Sequence, residues 1–173
     1  MAQPGRTDAG TTPEEAGKPS SPESKAAGGT LTPGSMATLR NVSTNQCVSG
    51  DASSVYPSFG TCGSSDAYAW TLRSSSGDTF ELVNGAGGKC LSAPFNNDYA
   101  AQLETCGGVG GTGYIHWRLG SPTSTGQTLK NTETGHCLEI ATPSFGGAKQ
   151  VMVTTCDGGQ TQQLWKDGGN ASG

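Results

Sequence analysis

Six cysteines pose the first chemical question in this chain: metal site, nucleophile or disulfide. Cys47, Cys62, Cys90, Cys106, Cys137 and Cys156 never form a CxxC pair, and the two histidines, His116 and His136, are not at metal-ligand spacing. Zinc sites use short Cys and His spacings that hold a tetrahedron. An even number of widely spaced cysteines reads instead as a disulfide framework made in an oxidising compartment, the alternative being six reduced, buried thiols. Neither histidine stands in HExxH, and no serine sits in a GxSxG turn, so no hydrolytic constellation is present. The chain is not expected to be an enzyme, and no cofactor or metal is expected. Gly108-Val109-Gly110-Gly111-Thr112-Gly113 matches GxGxxG, but no helix follows to bind a pyrophosphate, and the run reads as a flexible insertion.

The spacing of those cysteines is itself repeated. Leu39-Arg40-Asn41 precedes Cys47, Leu82-Val83-Asn84 precedes Cys90, and Leu129-Lys130-Asn131 precedes Cys137, with the Asn six residues before the Cys each time. A second Cys follows 15, 16 and 19 residues later, and then a Trp: Trp70, Trp117 and Trp165. The period of 43 to 48 residues marks a repeat architecture in which one unit cannot bury its apolar face alone. Six cysteines allow fifteen connectivities; the recurrence favours Cys47–Cys62, Cys90–Cys106 and Cys137–Cys156. Each bridge would close a loop worth on the order of 3 kcal/mol of chain entropy.

The elements that must position these residues are short β-favouring runs, among them Trp70-Thr71-Leu72, Phe80-Glu81-Leu82-Val83 and Val151-Met152-Val153-Thr154, separated by Gly, Ser, Asn and Asp. No helical periodicity runs through any stretch, and 28 Gly argue the same way, so the fold is expected to be all-β. Three units are too few for a propeller, and a sandwich does not require threefold sequence symmetry. A barrel closed by three equivalent lobes does.

Residues 1–36 stand apart. They hold five of the nine Pro and no aromatic residue, and Leu31 is the one member of the Ile, Leu, Val and Phe class before Met36. Such a segment buries too little to offset its entropy and is expected to be a disordered linker. Net charge is −4 for the chain. Arg6, Lys18 and Lys25 against Asp8, Glu14, Glu15 and Glu23 leave −1 in the tail and −3 in the repeats. A phosphate backbone is bound through clustered Lys and Arg, and no such cluster exists, so no nucleic-acid partner is expected. No apolar run is long enough to be expected to insert in a membrane, and the first residues do not read as a signal peptide. The expected setting is nevertheless extracellular or cell-surface, the chain being an excised piece joined by its linker to an upstream domain or anchor. Asn41-Val42-Ser43 and Asn170-Ala171-Ser172 match the glycosylation sequon.

Gln163-Leu164-Trp165 is a QxW motif, and the order Cys137-Leu138-Glu139, loop, second Cys, QxW resembles the third lobe of a ricin B-type lectin domain. The resemblance covers about residues 37–168 and implies a β-trefoil with lobes of about 37–77, 78–122 and 123–168, followed by a flexible C-terminus at 169–173. The first lobe ends Ala67-Tyr68-Ala69-Trp70 and the second Tyr114-Ile115-His116-Trp117, so both lack the Gln.

The resemblance implies a carbohydrate partner. In that family an acid two residues after the first Cys accepts hydroxyl hydrogen bonds, amides work the other edge, and an aromatic face covers the apolar side of the sugar. This chain has Ser49, Ser92 and Glu139 at the acid position, and a serine lacks the charge-assisted acceptance of a carboxylate. The expected site is therefore in the third lobe: Glu139, Phe145, Gln150, Gln162 and Gln163. Loop aromatics Tyr56, Phe59, Phe95 and Tyr99 are available in the other lobes. The competing assignments are structural: Gln163 shaping its own turn, Glu139 as a solvated carboxylate, Phe145 as a cover over the barrel end. The three Trp are expected to be shared core.

Two functions stay open on these residues. One is a non-catalytic carbohydrate-binding module; the other is a degenerate trefoil acting as a sensor or protein-interaction domain. A hydrolase inhibitor presenting Asn96-Asn97-Asp98-Tyr99 is a third, with no motif behind it.

Overall fold

The computed structural model describes residues 29–93, 99–107 and 114–169. The glycine-rich run 108–113, Phe95, Asn96 to Asp98 and the sequon at Asn170 lie outside the described residues, as do residues 1–28.

The described chain is built of strands and two single 3-10 turns. The first lobe holds β1 (Met36–Ala37), β2 (Leu39–Asn41), β3 (Cys47–Ser49), β4 (Ser58–Gly60) and β5 (Trp70–Ser74). The second holds β6 (Phe80–Asn84), β7 (Lys89–Ser92), β8 (Tyr99–Ala100), β9 (Gln102–Thr105) and β10 (His116–Leu119). The third holds β11 (Leu129–Asn131), β12 (His136–Ala141), β13 (Gln150–Thr155) and β14 (Trp165–Asp167). The last strand of each lobe pairs with the Asn-bearing strand of the next, β5 with β6, β10 with β11 and β14 with β2, placing Trp70 opposite Asn84, Trp117 opposite Asn131 and Trp165 opposite Asn41. On its other side each Trp faces its own lobe: Ala37, Phe80 and Gln127 respectively. The six barrel strands thus close through three equivalent corners, a β-trefoil, and the expected within-lobe disulfides are the ones present.

The repeated residues are those corners. Each Trp is fully buried, and its indole N–H donates 2.9 Å to the carbonyl of the residue after the lobe's first Cys, at Val48, Leu91 and Leu138. A buried indole needs such a partner, which ties barrel to hairpin in every lobe. Each Asn sends its Nδ2 into the preceding lobe, to the carbonyls of Gln162, Ala67 and Tyr114. Its Oδ1 accepts backbone N–H groups of the following turn, from Ser43 and Thr44, from Ala86, and from Glu133 and Thr134. Four residues after each Asn the backbone is left-handed, at Asn45 (φ 60°), Gly88 (φ 69°) and Gly135 (φ 78°). Gly and Asn are the residues that enter this region at least cost.

Between these corners lies one core. Leu39, Leu82 and Leu129, the repeated Leu positions, are buried with Leu72, Phe80, Leu91, Leu138, Ile140 and Val153 around the three Trp. Along β6 every second side chain is buried, and along β12 Leu138 and Ile140 enter the core on either side of half-buried Glu139, as a half-solvated antiparallel sheet requires.

Contacts with the barrel reach into the stretch that composition assigns to the linker. Residues 29–36, which the tail's Pro and Gly content assigns to the linker, pack on the barrel: Gly29 and Asp167 exchange backbone hydrogen bonds of 2.9 and 2.8 Å, and Leu31 is 2 % exposed. One buried leucine offsets the ordering of a short segment when the backbone is also paired. Leu31→Ala is expected to cost about 2 kcal/mol, measured by chemical denaturation with the disulfides intact.

Candidate functional site

Glu139 stands in the middle of β12, opposite Met152 of β13, on the face turned away from Leu138 and Ile140. The 3-10 turn Thr161–Gln163 folds against that hairpin and buries Gln163, which is 3 % exposed. The Gln163 amide is fully used: Nε2 donates to Glu139 Oε1 and to the Thr155 carbonyl, each at 2.9 Å, and Oε1 accepts from Asp157 N at 2.8 Å. An amide with both N–H groups and its oxygen engaged has little left for a ligand. Gln163 therefore supports the carboxylate, holding one oxygen while the half-buried side chain keeps further acceptor capacity.

Neither other lobe repeats this pair. Ser92 is 1 % exposed, its hydroxyl turned to the Gln102 carbonyl at 3.4 Å, and Ile115 fills the place of the Gln. In the first lobe Ser49 pairs across the sheet with Ser58, and Tyr68 stands where Gln163 does in the third.

The remaining sequence-derived candidates are distributed more widely. Phe145 is 76 % exposed at the tip of the loop between β12 and β13, where Gly146 N donates to the Pro143 carbonyl. Gln162 is half-buried, and its backbone carbonyl is the acceptor for Asn41 Nδ2. Gln150, at the start of β13, lies in the wall of a separate cleft to which Glu139 does not contribute. The structure thus brings Glu139 and Gln163 together, places Phe145 on the loop between β12 and β13 and Gln162 in the turn that carries Gln163, and gives Gln150 other neighbours.

Neither histidine lies beside Glu139: His136 Nδ1 is buried without a hydrogen-bond partner among the described residues, and His116 belongs to a surface cluster. His116 Nδ1 lies 2.6 Å from Glu133 Oε2 and Nε2 3.6 Å from Glu81 Oε2, in a surface ion cluster that also includes Arg73. Glu81 is close to Cys90 and Cys106, but those sulfurs are bonded to each other and offer no thiolate to a metal.

One carboxylate is tuned. Asp51 accepts from the backbone N–H and hydroxyl of both Ser53 and Ser54 at 2.7 to 2.8 Å. The Ser54 and Ser53 hydroxyls, followed by the Ser53 amide, lower its pKa from 3.8 to about 2. A depressed carboxylate contributes stability that is complete above its unfolded value and fades as pH falls through the folded one. The Asp51 loop is therefore expected to hold from neutrality to below pH 3.8 and loosen near pH 2, with the side-chain carbonyl resonance titrating at that lower midpoint.

Three interlocked lobes, an internal Trp and Asn frame, and a carboxylate held by the Gln of a QxW turn define a trefoil of the lectin type. The family model described as a ricin-type beta-trefoil lectin domain matches residues 35–165, and the chain belongs to that family. Domains of this family are binding modules rather than enzymes. No curated protein sequence matches the chain. Among solved structures the chain is similar to the designed threefold-symmetric protein ThreeFoil, with TM-score 0.62 and 17 % identity, over 76 % of this chain and 97 % of that one. It is similar to the Haemophilus ducreyi cytolethal distending toxin, with TM-score 0.58 and 18 % identity over 88 % and 87 %. It also resembles the Polyporus squamosus lectin, bound in that structure to a human-type influenza-binding epitope, with TM-score 0.60 and 15 % identity over 79 % and 49 %. At these identities the likeness concerns the fold. No helix among the described residues is long and apolar enough to cross a membrane.

Proposed function

We propose that the domain binds carbohydrate through its third lobe, with Glu139 as the anchor, Gln163 positioning it, and Phe145 and Gln162 as the adjoining aromatic and amide. The observation that carries this is the Gln163 to Glu139 hydrogen bond, a device that occurs in one lobe of the three. A carboxylate held by one oxygen is presented in a fixed rotamer, so less entropy is lost when it accepts sugar hydroxyls. One shallow polar site supports an affinity of about 0.1–1 mM for a monosaccharide, and useful strength then comes from polymeric ligands or multiple copies. Three disulfides suit an extracellular or cell-surface setting.

The second reading, a trefoil that has given up sugar for a protein partner or sensing role, draws support from the second lobe, where Ser92 and Ile115 are buried where a site would need polar groups. A glycan and insoluble-polysaccharide array probed with the oxidised protein separates the two. Binding that disappears in Glu139→Ala supports the lectin reading; a blank array from folded protein overturns it.

A further inference from the structure

A cleft of about 560 Å³ opens where the three lobes meet. Its walls include the sixth and fifth residues before the second Cys of every lobe: Tyr56 and Pro57, Ala100 and Ala101, Gln150 and Val151. Equivalent positions from three lobes can share one cavity only around the pseudo-threefold axis, so the cleft is axial and occurs once per molecule. Its three symmetry-related side chains differ in kind. Tyr56 provides an aromatic face, Ala100 leaves space, and Gln150 provides an amide.

The aromatic wall is built to stay in place. Tyr56 is 56 % exposed and its neighbour Val55 53 %, two of the few large apolar side chains the described residues leave open to water. Yet the loop bearing them is tied at successive points, by the four bonds from Ser53 and Ser54 to Asp51, by Lys89 Nζ to the Ser54 carbonyl at 2.9 Å, and by Leu103 N to the Val55 carbonyl at 2.6 Å. An exposed ring on an anchored loop is a preorganised platform rather than a loose cover. At the rim stands Lys149, exposed and in none of the ion pairs among the described residues, and none of the described residues lining the cleft is acidic. The volume lies in the range of small-molecule sites.

We propose that this axial cleft is a second saccharide site, distinct from the Glu139 site, and that it takes a sugar ring bearing one carboxylate or sulfate. The ring's apolar face lies on Tyr56, Gln150 hydrogen-bonds its hydroxyls, and the Lys149 ammonium meets the anion. The proposal rests on the cleft and does not require the third-lobe site to bind.

The test is a titration of the isotopically labelled full chain with sodium glucuronate, galactose 6-sulfate, neutral galactose and sodium sulfate at matched ionic strength, read from backbone amide shifts. Saturable shifts at Ala100, Ala101 and Val151 are expected with the anionic sugars, with Kd on the order of 1 mM. Response to one of the two and not the other identifies the acidic group. Lys149→Ala should weaken this binding about fivefold, as for a solvent-screened charge. Tyr56→Ala should remove it, and Glu139→Ala should leave it unchanged. Equal shifts with galactose or with sodium sulfate alone would overturn the proposal. So would shifts confined to the surroundings of Glu139 and Gln163, an outcome that would leave the third-lobe reading intact.

Discussion

Glu139→Ala is expected to abolish glycan binding by the third lobe and to lower the melting temperature by only a few degrees. At the proposed site, charge-assisted hydrogen bonds donated by sugar hydroxyls to the carboxylate would be worth about 1.5–3 kcal/mol each. Losing two of them from a millimolar-range site removes detectable affinity. The structural cost is smaller, because Gln163 Nε2 keeps the Thr155 carbonyl as a partner and Oε1 keeps Asp157 N. One amide hydrogen of buried Gln163 loses the acceptor that half-buried Glu139 supplied, about 1 kcal/mol, or roughly 3–4 °C for a domain of this size. Glycan binding and thermal denaturation of the same preparations check both halves. A fall beyond about 10 °C would mean that Glu139 holds the fold rather than a ligand.

Asn131→Ala is expected to do the reverse, destabilising by about 3 kcal/mol. That single side chain joins two lobes through Tyr114 and satisfies the N–H groups of Glu133 and Thr134. Truncation orphans three backbone groups at once, and alanine can replace none of the bonds. Asn84→Ala should cost less, about 2 kcal/mol, because Asn84 Oδ1 accepts from Ala86 alone among the described turn amides. Exposed Lys130 beside Asn131 serves as the control, its alanine variant falling within about 0.5 kcal/mol of the parent. Guanidinium unfolding of oxidised protein measures the order; equal values for all three would show that the Asn frame is not what joins the lobes.

Much of this frame is legible without coordinates because it is written three times. Leu, Asn, Cys and Trp recur at nearly fixed spacing, and the corner geometry needs each of them for a separate reason: packing, cross-lobe hydrogen bonding, cross-linking and indole anchoring. The Glu139 and Gln163 pair is visible as the one lobe that keeps both an acid and QxW. Two features are hidden. The clamp at Gly29 and Leu31 sits in a stretch whose composition reads as linker, since one leucine among Pro, Gly, Thr and Ser carries no periodicity. The axial cleft draws Tyr56, Ala100 and Gln150 from far apart along the chain. The signal that finds them is a count back from the second Cys in each lobe, and it is meaningful only once the three lobes are known to surround an axis. Gln150 is drawn toward Glu139 by sequence logic because both follow Cys137 on one hairpin, whereas its nearest cavity is shared with the other two lobes.

The pairing of Gly29 with Asp167 also has a mechanical side. Gly29 and Asp167 lie side by side on adjacent antiparallel segments, so tension applied to the chain at these two points falls first on that bridge, which opens in the manner of a zipper. The barrel and its three covalent cross-links lie behind that first contact. A domain attached in this way yields at its seam under load while the surfaces carrying Glu139 and Tyr56 keep their shape.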